Sequence, residues 1–166
     1  VVAHLAGLGH RRIGHIAGPE SNILTQQRLA GYGAGLRAAG VEAESDLIRH
    51  GDFTIPSGES AMAALLALPA PPTAVFCSND EMAIGAIRAL RVSGREVPRD
   101  VAVAGFDDIQ FAGTYEPPLT TIRQPRRRMG VEAMALLGRR IAGEAGAGGD
   151  VTLPFTLIER RSSSRS

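Results

Sequence analysis

The residues able to do chemistry in this chain cluster after its apolar runs. Asp107 and Asp108 follow the run at 101–105, and Asn79 and Asp80 follow the run at 73–77. Asp52 and Phe53 follow the weaker run near Ile48, and positions 20–22, ending in Asn22, follow the run that closes at Ala17. In an open parallel sheet, ligands bind in the crevice at the carboxyl ends of the strands. Four successive runs that end in short polar groups, with one aromatic among them, mark a candidate ligand edge. Asp80 is read as a cap of the helix after it, whereas Asp107 suits a plain turn and a ligand equally.

Other constellations are weaker. His50 and Asp52 have the types of an acid–base pair, but a loop histidine after a strand explains them as well. Cys77 ends an apolar run with no identifiable partner histidine, which fits a buried thiol rather than a nucleophile. His4, His10 and His15 lack metal-ligand spacing, so no metal is expected. Gly33-Ala34-Gly35-Leu36-Arg37-Ala38 resembles a dinucleotide fingerprint in its letters only. Its glycines lie late in a helix rather than in a strand-to-helix turn, so no cofactor is expected there. Arg126, Arg127 and Arg128, with Arg139 and Arg140, fall on the outer face of one helix.

Composition narrows the chemistry further. The chain has 166 residues, 44% apolar and 21% charged, with a formal net charge of +1, and all 18 basic residues are arginine. Without lysine there is no Schiff base, no phosphate-loop lysine and no Ser-x-x-Lys catalysis. One cysteine allows no internal disulfide and no multi-cysteine zinc site. The balanced charge argues against a nucleic-acid-binding surface within these residues. No apolar run reaches membrane-span length, so no membrane partner is expected; no secretory signal is visible, and one upstream of residue 1 would not show.

The elements that must position these groups alternate regularly. Strands are predicted at 12–17, 46–49, 73–77, 101–105 and 152–158, with an extended piece at 120–123. Helices are predicted at 25–39, 57–68, 80–92 and 125–142. In the last of these, Ala133, Met134, Leu137 and Ile141 are predicted to point inward. Residues 1–8 read as the end of a helix stopped at Gly9, as in a chain whose earlier part lies upstream. Ser78 with Glu81, or Asp80 alone, is the expected cap of the helix at 80–92. A loop is expected at 143–149 and a disordered tail at 161–166. Strand–helix alternation at this spacing means an α/β fold with parallel sheet.

Seven collinear motifs then carry a resemblance. They are His15-Ile16-Ala17-Gly18-Pro19 with Arg28-Leu29-Ala30-Gly31-Tyr32, and Gly51-Asp52-Phe53-Thr54 before Ser57-Gly58. Next come Pro72-Thr73-Ala74-Val75-Phe76-Cys77, then Asn79-Asp80-x-Met82-Ala83-x-Gly85-Ala86, and Val97-Pro98-x-Asp100-Val101. Gly105-Phe106-Asp107-Asp108 and Pro118-Leu119-Thr120-Thr121-Ile122-x-Gln124-Pro125 complete them. Together they resemble the effector-binding region of LacI/GalR-family bacterial transcription regulators, most similarly the cytidine- and purine-responsive branch, over nearly the whole chain. The resemblance implies a two-lobed periplasmic-binding-protein-like fold. Residues 1–45 and 124–144 would belong to an incomplete DNA-proximal lobe, and 46–120 and 150–160 to a distal lobe.

It also implies a small-molecule effector (a nucleoside, purine or sugar), a homodimer, and operator DNA contacted only through an N-terminal helix-turn-helix outside these residues. Arg28 matches the cleft arginine, Phe53 the stacking aromatic, Asn79 a polar cleft position and Asp107 the hydroxyl-accepting aspartate. Asn22 and Leu24 stand where a purine-type site carries a basic residue and a hydroxyl, which favours a nucleoside such as cytidine. Ile84 and the segment from Phe111 to Tyr115 match the dimer contacts. No catalytic residue is implied. The rival readings are a transport solute-binding protein and an α/β enzyme that uses Asp107 with His50.

Overall fold

The computed structural model describes residues 1–144 and 149–164. Its elements run α1 (Val2–Gly7), β1 (Ile13–Ala17), α2 (Ile23–Ala38), β2 (Ile48–His50), α3 (Ile55–Leu66), β3 (Ala74–Cys77), α4 (Asp80–Val92), β4 (Ala102–Ala104), β5 (Thr121–Arg123), α5 (Arg126–Ile141) and β6 (Thr156–Ile158). Part of the loop expected at 143–149 lies outside the described residues.

Four parallel strands form one sheet in the order β2-β1-β3-β4. β1, β3 and β4 are buried along their whole lengths, because helices cover both faces. On one face Met62 and Leu65 of α3 and Ile87 and Leu90 of α4 pack on Ile16, Val75 and Val103. On the other, Leu5 of α1 and Tyr32 and Leu36 of α2 pack on Ile13 and Phe76. The Tyr32 hydroxyl donates to the Ile13 carbonyl at 2.7 Å, which satisfies its one polar atom in that core. Gly9 and Gly40, at φ +95° and +63°, take the left-handed conformation that stops α1 and α2.

This topology corrects the expected lobe division. β1 lies between β2 and β3, so residues 1–45 share one sheet with 46–120, and each of its two core clusters draws on both segments. Sequence order cannot reveal this, because parallel strands pair across helical crossovers and not with their chain neighbours. β5 and β6 form a separate antiparallel pair, joined to the main sheet by a single parallel bridge from Ala104 to Thr120.

Two further expectations fail for physical reasons. α5 has no buried residue: its apolar stripe, including Met134, Leu137 and Ile141, is exposed. The expected disordered tail is ordered over its first four residues, and Arg165 and Ser166 lie outside the described residues. Ser162 and Ser163 are buried. The Ser162 hydroxyl donates to the Val103 carbonyl at 2.6 Å and accepts from the Thr120 amide at 2.8 Å. Serine is buried here because each hydroxyl finds backbone or side-chain partners.

Candidate functional site

All four strands of the main sheet run parallel, so the segments after β1, β2, β3 and β4 open along one edge. The chain order reverses direction between β1 and β3, the place where an open α/β sheet leaves a crevice. Arg28, from the helix after β1, reaches across this point. Its guanidinium donates to the Ser78 carbonyl after β3 at 2.6 Å and pairs with Asp107 after β4 at 3.8 Å. It also lies 4.1 Å from the centre of the Phe106 ring. Burial lowers the pKa of Arg28, and Asp107 opposes that shift. Burial raises Asp107, against the pull of Arg28 and a hydrogen bond from Gln124. A half-buried cation and anion therefore face each other.

The loop that carries Asp107 is strained. Asp107 and Asp108 have φ of +112° and +48°, a conformation that costs a non-glycine residue about 1–3 kcal/mol. Three successive amides offset the cost. Asp107 donates to the Ile122 carbonyl, Asp108 to the Thr121 hydroxyl and Ile109 to the Asp80 carboxylate, at 2.9, 3.3 and 2.8 Å. Asp108 turns away from Arg28. Although burial alone would raise its pKa, Arg160 at 2.7 Å and Arg123 at 2.6 Å outweigh that and hold it below the usual carboxylate range.

Beside Arg28 lies a cavity of about 480 Å³, within the ~300–1,000 Å³ typical of small-molecule sites. Leu24, Gln27, Tyr32, Phe76, Phe106 and Gln124 line it along with Arg28. Of the predicted ligand residues, Arg28 and Leu24 are on its wall. Asn22 is the N-cap of α2 and accepts from the Leu24 amide. Asn79 caps α4 through the Met82 amide, which replaces the expected Ser78/Glu81 or Asp80 cap. Its amide group donates to the Phe53 carbonyl at 2.8 Å, so Asn79 and Phe53 are brought together. Phe53 itself sits at φ +70°, with its ring over Gly18, where a Cβ would collide with it.

Sequence reasoning missed Gln124, Phe106, Tyr32 and Phe76 as wall residues. All four lie inside the collinear motifs, but nothing local marks which side of the sheet each faces.

The remaining candidates separate from the site. Cys77 is fully buried, and burial raises its thiol well above the ordinary range. The His50 ring faces the Gly18 carbonyl at 2.9 Å, and Asp52 is held by Thr54. Ile84, Phe111 and Tyr115 do come together, around an apolar hollow of about 470 Å³ shared with Ile55 and Ile109. Ile84 is buried beneath it and Phe111 is exposed at 66%.

Behind the site, His15 is sandwiched between Tyr32 and Phe76, with ring centres 4.9 and 4.7 Å away. Burial depresses its pKa to about 4, and the Phe76 carbonyl at Nδ1 only partly opposes this. The stability contributed by neutral His15 is thus present in full above pH 6.5 and is lost as pH falls toward 4. The expected loss is about 3 kcal/mol. Asp80, raised by burial to about 6, titrates in the opposite sense across the same range. Urea unfolding of parent and His15→Phe at pH 7 and pH 4 isolates the histidine part: the variant should lose about 3 kcal/mol less. Equal losses in the two proteins would show that His15 titrates normally.

Comparisons with known proteins place these observations. A periplasmic binding protein-like domain family matches residues 2–163. The HTH-type transcriptional repressor CytR of Escherichia coli strain K12 is 45% identical over 161 residues, 97% of this chain and 47% of that protein. The HTH-type transcriptional regulator CelR of Thermobifida fusca is 46% identical over 154 residues, 93% and 45%. The chain spans about half the length of the curated relatives it matches. Among solved structures, a CelR–cellobiose complex superposes with a TM-score of 0.92 at 44% identity, covering 97% of this chain and 49% of that one. The lac repressor dimer bound to operator and an anti-inducer gives 0.91 at 36% identity, covering 98% and 56%.

Proposed function

The chain belongs to the periplasmic binding protein-like domain family, in the form carried by LacI-type repressors, and from that premise we propose that it is the effector-binding region of a bacterial transcription regulator. The observation that carries this reading is the Arg28–Asp107 pair, whose arginine stands on the wall of an aromatic-lined cavity. A guanidinium from α2 and a carboxylate from the loop after β4 supply a donor fork and an acceptor. That is the chemistry of a vicinal diol, present in the ribose of a nucleoside and in a sugar such as cellobiose. Phe76, Phe106 and Tyr32 supply flat apolar contact for a ring.

We read the chemistry as binding without turnover. The His50 ring meets the Gly18 carbonyl and Glu20, and Asp107 meets Arg28 and Gln124, which favours this reading over an acid–base pair of Asp107 with His50. The exposed apolar stripe of α5 supports assigning residues 124–144 to a second lobe that closes over the ligand. Differential contacts in the open and closed arrangements then bias how a dimer presents its DNA-binding heads. The hollow around Ile84, Phe111 and Tyr115 supports the dimer contact. Because the relatives are transcription repressors, the site of action proposed is the cytoplasm.

Calorimetric titration with cytidine, adenosine, hypoxanthine, guanine and cellobiose tests the reading. Saturable binding confined to the hydroxylated members is expected. Binding of the free bases alone, or of none of the five, would overturn it.

A further inference from the structure

Asp80 is a fully buried carboxylate at the first turn of α4, and the helix does not use it as a cap. One oxygen accepts the Thr121 hydroxyl at 2.6 Å and the other accepts the Ile109 amide at 2.8 Å. Thr121 in turn accepts the Asp108 amide. Asp80 thus holds the amides of Asp108 and Ile109, one through Thr121 and one directly, just beyond the strained Asp107. Gly105 completes the arrangement: a Cβ there would collide with the Asp80 carboxylate. The groups facing Asp80 are Asp107 and Asp108 from the loop after β4, Thr121 from β5 and the Cys77 thiol from β3. Two of these are like charges, and burial beside them is costly unless the carboxylate does something specific.

We propose that Asp80 is a positioning residue for the ligand site: it locks the 108–109 backbone onto β5 and so aims the preceding Asp107 carboxylate at Arg28. Its effect on binding rests on the effector reading above, whereas its hold on the loop does not. The same lock joins the ligand loop to the strand that leads into α5. A ligand pulling on Asp107 therefore pulls on β5 directly, through the Asp107 amide on Ile122, and also through the Asp80 lock.

The test uses the ¹⁵N-labelled chain with Asp80→Asn, Thr121→Val and Thr121→Ser, read by amide hydrogen exchange and by calorimetry with cytidine and cellobiose. Asp80→Asn should speed exchange at Ile109 and Asp108 by about tenfold, with β1 and β3 amides unchanged. Thr121→Val should do the same at Asp108, and Thr121→Ser should restore the parent rate. Affinity for whichever probe binds the parent should fall about tenfold in Asp80→Asn. Parent-like exchange at 108–109, acceleration spread evenly over the sheet, or a loosened loop with unchanged affinity would each overturn the proposal. Should Asp80→Asn fail to fold, the two Thr121 variants decide it. Absence of binding by the parent would instead count against the effector reading, and the exchange data would still decide whether Asp80 holds the loop.

Discussion

Arg28→Ala is expected to abolish effector-induced thermal stabilisation while the chain stays folded. The guanidinium makes three separate interactions: the Ser78 carbonyl, the Asp107 carboxylate and the Phe106 ring. A ligand inserted between Arg28 and Asp107 replaces a loose 3.8 Å ion pair with short hydrogen bonds to each charge. Each charge-assisted bond contributes about 1.5–3 kcal/mol, so losing the fork costs about a hundredfold or more in affinity. Folding loses less, because the alanine variant removes a charge whose burial is already penalised. Asp107→Ala should match it, since either truncation leaves the ligand one partner short. Arg28→Lys should fall between, keeping the charge but losing the planar fork and the ring contact. The measurement is the melting temperature with and without saturating cytidine or cellobiose, backed by calorimetry. If Arg28→Ala and Asp107→Ala both bind like the parent, the ligand lies elsewhere.

The sequence made Asp107 readable for a reason that also limits it. It stands where short polar groups follow a buried strand, and strands buried on both faces announce themselves as apolar runs, whereas Arg28, inside α2, is marked only by the family motif that holds it. β1, β3 and α4 accordingly appear within a residue or two of their predicted bounds. What a run of letters does not carry is which strands are neighbours. The central place of β1 comes from pairing across crossovers, so the division at residue 45 misplaced the first three elements. The same limit explains Asp80, whose partners are 29 and 41 residues away in the chain. It explains Ser162 too, a polar residue in a polar tail that becomes core only because Val103 of β4 offers it a carbonyl and Thr120, just before β5, an amide.

α5 is the opposite case. Its apolar periodicity was correctly visible as a helix, yet periodicity reports that a face wants cover and not whether these residues supply it.

Gly85→Ala is the second large effect expected, and it acts on stability first. α3 and α4 cross with their backbones in contact, and each places a glycine at the crossing. A Cβ on Gly58 would stand 2.5 Å from the Met82 Cα, and one on Gly85 would stand 2.7 Å from the Glu59 nitrogen and collide with the Ile55 carbonyl. Backbone atoms cannot swing aside as a side chain can, so a methyl must push the helices apart. That separation loosens Met62, Leu65, Ile87 and Leu90, all buried in one cluster.

Overpacking of this kind costs about 1–3 kcal/mol, and more where backbone is struck; the helical gain of alanine over glycine, about 1 kcal/mol, offsets only part. The expected net loss is about 3 kcal/mol in urea unfolding. Gly58→Ala should lose a similar amount, and the double variant less than the sum, because one separation relieves both clashes. Gly33→Ala is the control. It is also a mid-helix glycine, but a Cβ there meets only the Arg37 side chain at 3.6 Å, so it should gain about 0.5–1 kcal/mol. The sign difference between two chemically identical changes is the signature of the crossing, and a neutral Gly85→Ala would mean that the helices do not touch. Because Asn79 and Asp80 sit at the start of α4, whatever moves that helix also moves the lock on the Asp107 loop. Residual effector affinity in Gly85→Ala should therefore fall further than its remaining folded fraction accounts for.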